Sequence, residues 1–390
     1  MSTMDFRLSD EQEMFRKSVR DYVNRELPKS WARDLEKDEH TFPHELFGKL
    51  ATAGFHAIGI PEEYGGQGGD IMTQMLLARE LARSLAGLTW VWGITSFAGG
   101  KSVGIYGTPE QKQQHLPAIA AGREKWAIGF TEPGGGTDVL GAMRTVATRA
   151  DGGWVINGQK TWSSMAHVAD YILLLVRTTK DVAKQYQGVS LFILPTASDG
   201  VTIREIPKLG MRALGSCDVF LNDVFVADEN LLGQPDQAWK MLLPTLNNER
   251  IMLSAFCVGI LDGVLEDALR YVTEREAFGR KIGGFQALQH YIANVAMWQE
   301  QADLIVTKAA WLQSRGLPCQ REATMAKVIA SELANQAADL GIQILGGMGY
   351  SAETDMQRYW RDSRLFRIGP ITNEMARNSI AEGLGLPRSF

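Results

Sequence analysis

Cysteine is scarce in this chain of 390 residues: Cys217, Cys257 and Cys319 stand alone, and no C-x-x-C pair occurs. An odd count at wide spacing argues against a disulfide framework and fits a reducing cytoplasm. Positive charge is not in excess. Forty Lys and Arg against 45 Asp and Glu leave a net charge of −5, which argues against nucleic acid as a partner, because neutralising phosphates needs a basic face. A local basic pocket for one small anion stays open. Long hydrophobic runs are missing too. The densest, Tyr171–Val176 (YILLLV), falls far short of the roughly 20 residues of a membrane helix, so no membrane span is expected. The N-terminal stretch MSTMDFRLSDEQEMFRK alternates charge and lacks the apolar core of a secretory signal.

Several chemical motifs are absent as well. There is no G-x-G-x-x-G, hence no support for a Rossmann nicotinamide site, and no G-x-S-x-G nucleophile elbow. Gly100-Lys101-Ser102 looks like the end of a P-loop, but the glycine required earlier is Thr95. His40 and His44 lie four apart with Pro43 between them and no acidic ligand at helical spacing, so no metal site is expected.

What remains is an ordinary globular composition, 45% apolar and 22% charged, with 40 glycines. At roughly 150 residues per domain the length suggests two or three packed units. Residues 1–125 read as helices joined by turns. Ser9-Asp-Glu-Gln12 and Thr108-Pro-Glu-Gln111 are capping boxes, the second with proline at the first helical position. Pro28 acts as a stop, and Gly59–Gly66 is too glycine-rich to be anything but a tight loop. Near Trp126 the apolar period becomes two. Over residues 126–236, short β-branched and aromatic runs alternate with turns such as Asn157-Gly158 and Asp151-Gly152, the pattern of a small barrel or sandwich. From about Trp239 a helical stripe resumes, and Gln286–Ser314 and Arg321–Leu345 repeat it. Residues 237–390 therefore form a bundle whose wide apolar faces call for a neighbouring subunit.

Three segments carry candidate chemistry. Gly129-Phe-Thr-Glu-Pro-Gly-Gly-Gly-Thr-Asp138 frees its backbone to approach a ligand and adds two hydroxyls. Thr273–Gln286 (TEREAFGRKIGGFQ) ends a long helix with cations. Gln343-Ile-Leu-Gly-Gly-Met-Gly-Tyr350 is followed by Arg358-Tyr-Trp-Arg-Asp362.

With these segments the whole chain resembles the acyl-CoA dehydrogenase family. The fixed positions Gln343, Gly346, Gly347, Gly349, Tyr350, Glu353, Arg358 and Asp362 fit its C-terminal signature. TEPGGGTD fits the N-terminal one, with Phe130 in place of an aliphatic residue. Pro61–Gly66, Asn157–Lys160, Lys208–Gly210 and Arg275–Gly279 are further landmarks. The resemblance implies an α+β fold: an N-terminal helical domain, a middle β-barrel or sandwich domain and a C-terminal four-helix bundle. It implies a non-covalent FAD. Phe130, Thr131, Gly136 and Thr137 would meet the flavin ring or diphosphate, and Trp162 and Ser164 would lie against the isoalloxazine. Arg275, Phe278 and Gln286 would come from a neighbouring subunit to the diphosphate and adenosine end, as would Gln343 and Gly347, with Thr372 and Glu374 around the adenine ribose and diphosphate. A shared site implies a homotetramer, a dimer of dimers.

The implied reaction removes an acyl-CoA α-proton as H⁺ and the β-hydrogen as hydride to FAD, with electrons passed to an electron-transfer flavoprotein. A weakly acidic α-proton requires a carboxylate in a dry site, where its basicity rises. In many relatives the base follows the C-terminal signature, but that position here is Pro370. The isovaleryl and long-chain branches put the base at the start of the first helix of the last domain, within Leu246-Asn-Asn-Glu-Arg250, which nominates Glu249. The competing view of Glu249 is a first-turn carboxylate satisfying the helix dipole. Asn247, Asn248 and Arg250, with Thr137 and Gly369, would touch the acyl-CoA substrate. Alternatives are a 2-enoyl-CoA reductase, a flavin oxidase or monooxygenase, and a non-catalytic acyl-CoA-binding protein.

Overall fold

A computed structural model describes residues 7–37 and 41–388. His40, and residues 1–6 of the N-terminal stretch read above, lie outside the described residues.

Helix α1 (Asp10–Glu26) opens on a reciprocal cap: Ser9 Oγ accepts the Gln12 N–H, and Gln12 Oε1 accepts the Ser9 N–H. Pro28 ends that run and becomes the N-cap of α2 (Lys29–Leu35), followed by α3 (His44–Thr52). The glycine-rich stretch at 59–66 is the tight loop expected, and α4 (Ile71–Leu85) follows, buried almost throughout. Then come α5 (Trp90–Thr95), a π-helical turn over Ser96–Lys101, and α6 (Ser102–Tyr106). Helix α7 (Pro109–Ala120) carries the second capping box, Thr108 with Gln111.

The middle segment is one eight-stranded sheet: β1 (Trp126–Gly129), β2 (Val146–Ala150), β3 (Gly153–Ser164), β4 (Tyr171–Arg177), β5 (Val189–Pro195), β6 (Val201–Glu205), β7 (Ser216–Ala227) and β8 (Leu231–Leu232). Its order is β6-β7-β3-β2-β4-β5-β8, with β1 joined to β4 in parallel. Strand β4 explains YILLLV. Ile172, Leu174 and Val176 face the core between strands, while Leu173 and Leu175 face the helices, so both faces are apolar. Asp151-Gly152 is the expected hairpin turn between β2 and β3. Asn157-Gly158 is not a turn. It lies inside β3 at a register shift, where Asn157 Nδ2 donates to Asp223 Oδ1 at 2.9 Å. Gly158 sits there because a Cβ would meet the Thr145 hydroxyl at 2.5 Å, a close approach that a turn motif also favours in sequence.

The last segment comprises α8 (Ala238–Glu274), a hairpin of β9 (Glu276–Ala277) and β10 (Arg280–Lys281), and five helices: α9 (Gln286–Ser314), α10 (Gln320–Leu345), the short α11 (Gly347–Tyr350), α12 (Met356–Phe366) and α13 (Asn373–Gly383). One hydrophobic cluster runs from Val19 in α1 through Leu77 in α4 and Phe256 in α8 to Ala334 in α10. The first and last helical segments therefore share a core. All three cysteines are free and buried. Among the described residues no helix is long and apolar enough to cross a membrane.

Buried Asp362 on α12 joins the three segments. Its two carboxylate oxygens accept the N–H of Gly87, after α4, at 2.9 Å and the N–H of Met211, after β6, at 2.7 Å. Gly210 permits the approach, since a Cβ there would meet the Arg361 carbonyl oxygen at 2.7 Å. Arg358, also buried, donates to Asp355 and to the Ser84 carbonyl, each at 2.7 Å. Asp362→Ala strands two buried amides and is expected to lower stability by about 2–4 kcal/mol. Asp362→Asn keeps one acceptor oxygen and should lose less. Thermal unfolding midpoints of the two variants check this, and equal midpoints would contradict it.

Candidate active site

Glu249 sits in the first half of α8, and its side chain borders a narrow cavity between α8, α4 and the segment running from α5 into the π-turn. Trp90, Phe97, Met252 and Phe256 supply apolar wall, with Trp90 packed edge-on to Phe256 at 5.4 Å between centroids. Among the described residues Glu249 makes no hydrogen bond and no ion pair. Burial among these groups pushes its carboxyl up to about 7, and the neighbouring Arg250 charge opposes the rise only in part. It sits well past the first turn of α8, so the helix-dipole explanation does not apply to it.

Asn248 is buried beside Glu249 and lines the same cavity, its Oδ1 accepting from Gln313 Nε2 at 3.1 Å. Asn247 and Arg250 do not line it. Arg250 donates to Asn247 Oδ1 at 3.2 Å, and burial draws its guanidinium below the ordinary value while Glu249 resists.

The glycine-rich segment leaves β1 as a loop pinned by a buried ion pair. Lys160 Nζ on β3 meets Glu132 Oε1 at 2.8 Å, and the Glu132 carboxylate also accepts the N–H groups of Arg144 at 2.5 Å and Thr145 at 3.0 Å. Burial draws the Lys160 ammonium down to about 8, with Glu132 resisting. Thus anchored, Phe130 and Thr131 stay partly accessible, and Thr131 accepts the Thr161 N–H at 2.9 Å. The N–H groups of Gly136 and Thr137 make no hydrogen bond among the described residues. A Cβ at Gly136 would meet open space. On β3 a register shift after Lys160 accompanies Trp162 at φ +59°, and the residue is 56% exposed. Ser164 pairs with Ser216 in the ladder beyond it.

The remaining candidates are dispersed. Arg275 caps α8 at its far end, 26 residues beyond Glu249, about 39 Å at 1.5 Å per residue. Phe278 at the tip of the β9–β10 hairpin is 94% exposed, and Gln286 at the start of α9 is exposed too. The geometry of one chain does not bring these three to Glu249. Gln343 and Gly347 are exposed around the turn from α10 into α11. Thr372 caps α13, its hydroxyl accepting the Met375 N–H at 3.2 Å. Glu374 lies exposed in that first turn, where the local amides hold its carboxyl below the usual range. Gly369 donates its N–H to the Leu365 carbonyl at 2.9 Å, and Pro370 follows with none to give.

Sequence reasoning missed two supports. One is the Glu132–Lys160 pair; its signal was a carboxylate inside a glycine run. The other is Lys327 on α10, buried, which donates to the Ile371 carbonyl at 2.5 Å and to Asn373 Oδ1 at 2.6 Å and so fixes the loop after Pro370. It also missed the cavity wall contributed by the Trp90–Lys101 segment, although the run WVWGITSF is conspicuously aromatic.

A loop with free amides and an open glycine, an accessible indole beside it and an unpaired carboxylate in an apolar cavity fit a flavin-dependent dehydrogenase of thioesters. Three family models match the chain: acyl-CoA dehydrogenase N-terminal domain over residues 9–123, middle domain over 127–224 and C-terminal domain over 236–385. A probable acyl-CoA dehydrogenase of Bacillus subtilis (strain 168), YngJ, is 37% identical over 98% of this chain and 100% of its own length. Subunit CarC of the caffeyl-CoA reductase–Etf complex of Acetobacterium woodii is 35% identical over 96% of this chain and 98% of its own length. The solved FAD complex of PigA superposes with a TM-score of 0.92 at 26% identity, covering 98% of this chain and 100% of that one. The chain belongs to the acyl-CoA dehydrogenase family; it is an oxidoreductase and a flavoprotein whose cofactor is FAD.

Lys160→Met strands the buried Glu132 carboxylate and is expected to cost about 3–5 kcal/mol. Adding Glu132→Gln, which removes the stranded charge and keeps one acceptor oxygen, should recover part of that. Unfolding midpoints and bound flavin per subunit check this; equal losses in the single and double variants would sink it.

Proposed function

We propose that the enzyme carries out α,β-dehydrogenation of an acyl-CoA thioester, with Glu249 as the base and an electron-transfer flavoprotein as acceptor. The observation that supports it most is the Glu249 carboxylate itself. It has no protein partner, it borders an apolar cavity, and its pKa of about 7 matches the working pH of a general base. A carboxylate kept only for stability would be paired, as Glu132 is.

Glu249 takes the α-proton, and the apolar walls keep water away from its carboxylate. Asn248, held by Gln313, is placed to border the same acyl group. Arg250 and Asn247 serve the pantetheine side, with Thr137 and Gly369 as further substrate contacts. Bound FAD supplies the two-electron acceptor for the β-hydrogen. Phe130, Thr131, Gly136, Thr137, Trp162 and Ser164 would hold its flavin half. The separation of about 39 Å along α8 supports a second subunit as the source of Arg275 and the exposed Phe278 and Gln286, with Gln343, Gly347, Thr372 and Glu374 completing the nucleotide end. This favours a homotetramer built as a dimer of dimers. The thioester oxygen needs a donor where enolate charge develops. Pro370 has none. The next amide, Ile371 N–H, makes no hydrogen bond among the described residues, and Lys327 holds its carbonyl, so we assign the donor role to it. Three free buried cysteines support a reducing, cytoplasmic setting.

The 2-enoyl-CoA reductase reading draws support from the CarC relative and uses the same residues in the opposite direction. The partnerless Glu249 argues for proton chemistry over a non-catalytic binder or a monooxygenase.

Anaerobic mixing with a panel of acyl-CoAs should bleach the flavin, and Glu249→Gln should abolish bleaching while the protein stays yellow. Unchanged bleaching would overturn the assignment of the base. Because the carboxylate form acts, the rate of bleaching should rise about tenfold per pH unit below about 7 and level off above it. A rate that falls as pH rises through 7 would contradict a carboxylate base.

A further inference from the structure

Gly100-Lys101-Ser102 fails as a phosphate loop, and the structure gives those residues another occupation. Lys101 is the last residue of the π-helical turn Ser96–Lys101, and it lines the same cavity as Glu249. Ser102 is structural: its hydroxyl donates to the Phe97 carbonyl at 3.0 Å, five residues back, across the wide turn. A π-turn adds a residue to a helix and re-aims the side chains after it, and such turns concentrate at functional sites. The frame around it is firm. Trp92 Nε1 donates to the Phe55 carbonyl at 3.0 Å, and Thr95 Oγ1 accepts the Trp126 N–H at 3.2 Å.

Among the described residues Lys101 and Glu249 are the only charged side chains lining this cavity, and they come from different walls. They form no ion pair with each other. Among the described residues Lys101 makes no hydrogen bond and no ion pair at all. Burial draws its ammonium below the ordinary value with no carboxylate opposing the shift. Elsewhere in the protein buried lysines are partnered: Lys160 by Glu132, Lys327 by Ile371 and Asn373. Lys101 is half-buried and shares its cavity with Trp90, Phe97 and Phe256, so an anionic ligand there would supply the partner that the chain does not. Gln74 and Ser96 also line this cavity and suit an oxygen-rich end group better than a methyl terminus.

We infer that Lys101 is a specificity-determining residue that binds a carboxylate at the distal end of the acyl group, so that the substrate class is a dicarboxylic acid monothioester rather than a plain fatty acyl-CoA. This rests on the cavity beside Glu249 being the acyl site of the proposed function. Glu249 then serves the α-carbon and Lys101 the ω-carboxylate of one ligand.

The test uses the flavin-loaded enzyme with acyl-CoA pairs of equal length: glutaryl and valeryl, adipyl and hexanoyl, suberyl and octanoyl. kcat/KM for bleaching and Kd by calorimetry are read for the wild type, Lys101→Met and Lys101→Arg. The dicarboxylyl member should win by at least about tenfold at one or more lengths, as expected for one charged hydrogen bond. Lys101→Met should erase that ratio, and Lys101→Arg should keep most of it. Because each ratio is taken within one protein, a partly unstable variant still reports. Bleaching by the plain acyl-CoAs without any dicarboxylyl preference, or a ratio untouched in Lys101→Met, would overturn the inference while leaving the dehydrogenase reading intact. No bleaching by any member, with a Lys101-dependent preference in Kd, would overturn the dehydrogenase reading and uphold this one. Absence of both overturns both.

Discussion

The carboxylate of Asp362 is where the three segments of this protein meet. One oxygen holds Gly87 of the first helical segment, the other holds Met211 of the sheet, and the residue itself belongs to α12. The Glu249 cavity draws its carboxylate from α8 and its aromatic walls from α5 and the π-turn, while the glycine loop leaves β1 of the sheet. A single buried anion with directed acceptors fixes those bodies in distance and rotation, which apolar packing alone does not. Arg358 reinforces the joint from the next turn of the same helix. These two signature residues serve assembly of the site rather than its chemistry.

Charge inside the molecule then divides into two kinds. Glu132 with Lys160, Arg358 with Asp355, and Lys327 with the loop after Pro370 are buried and paired, and each holds a loop or a joint in place. Glu249 and Lys101 line one cavity, and among the described residues neither side chain has a partner. Leaving a charge unpaired costs free energy that a purely structural residue has no reason to spend. The contrast marks the cavity as the place where ligand chemistry completes the electrostatics. It also explains why the Glu249 carboxyl rises to about 7.

Local features were readable in the chain because their causes are local. Ser9 and Thr108 cap helices through residues three positions away, and Gln286–Ser314 is helical to the residue, since apolar spacing sets both. Asn157-Gly158 misled because the demand for glycine comes from Thr145, just before β2, and not from a turn. Glu249 was nominated by family position and by the proline at 370, but its isolation from every partner is a three-dimensional fact. Lys101 was visible only as a broken phosphate motif, because the elements that form its cavity are more than a hundred residues apart in sequence.

By itself, then, the sequence determined the order of helix, sheet and bundle, the caps, the glycine loop and the family. These follow from periodicity, turn chemistry and signature residues, each contained in short windows. Only the tertiary structure decided which charges are paired. Pairing depends on what burial brings together from distant segments, and it separates Glu132 and Lys160, which hold the loop, from Glu249 and Lys101, which face the cavity.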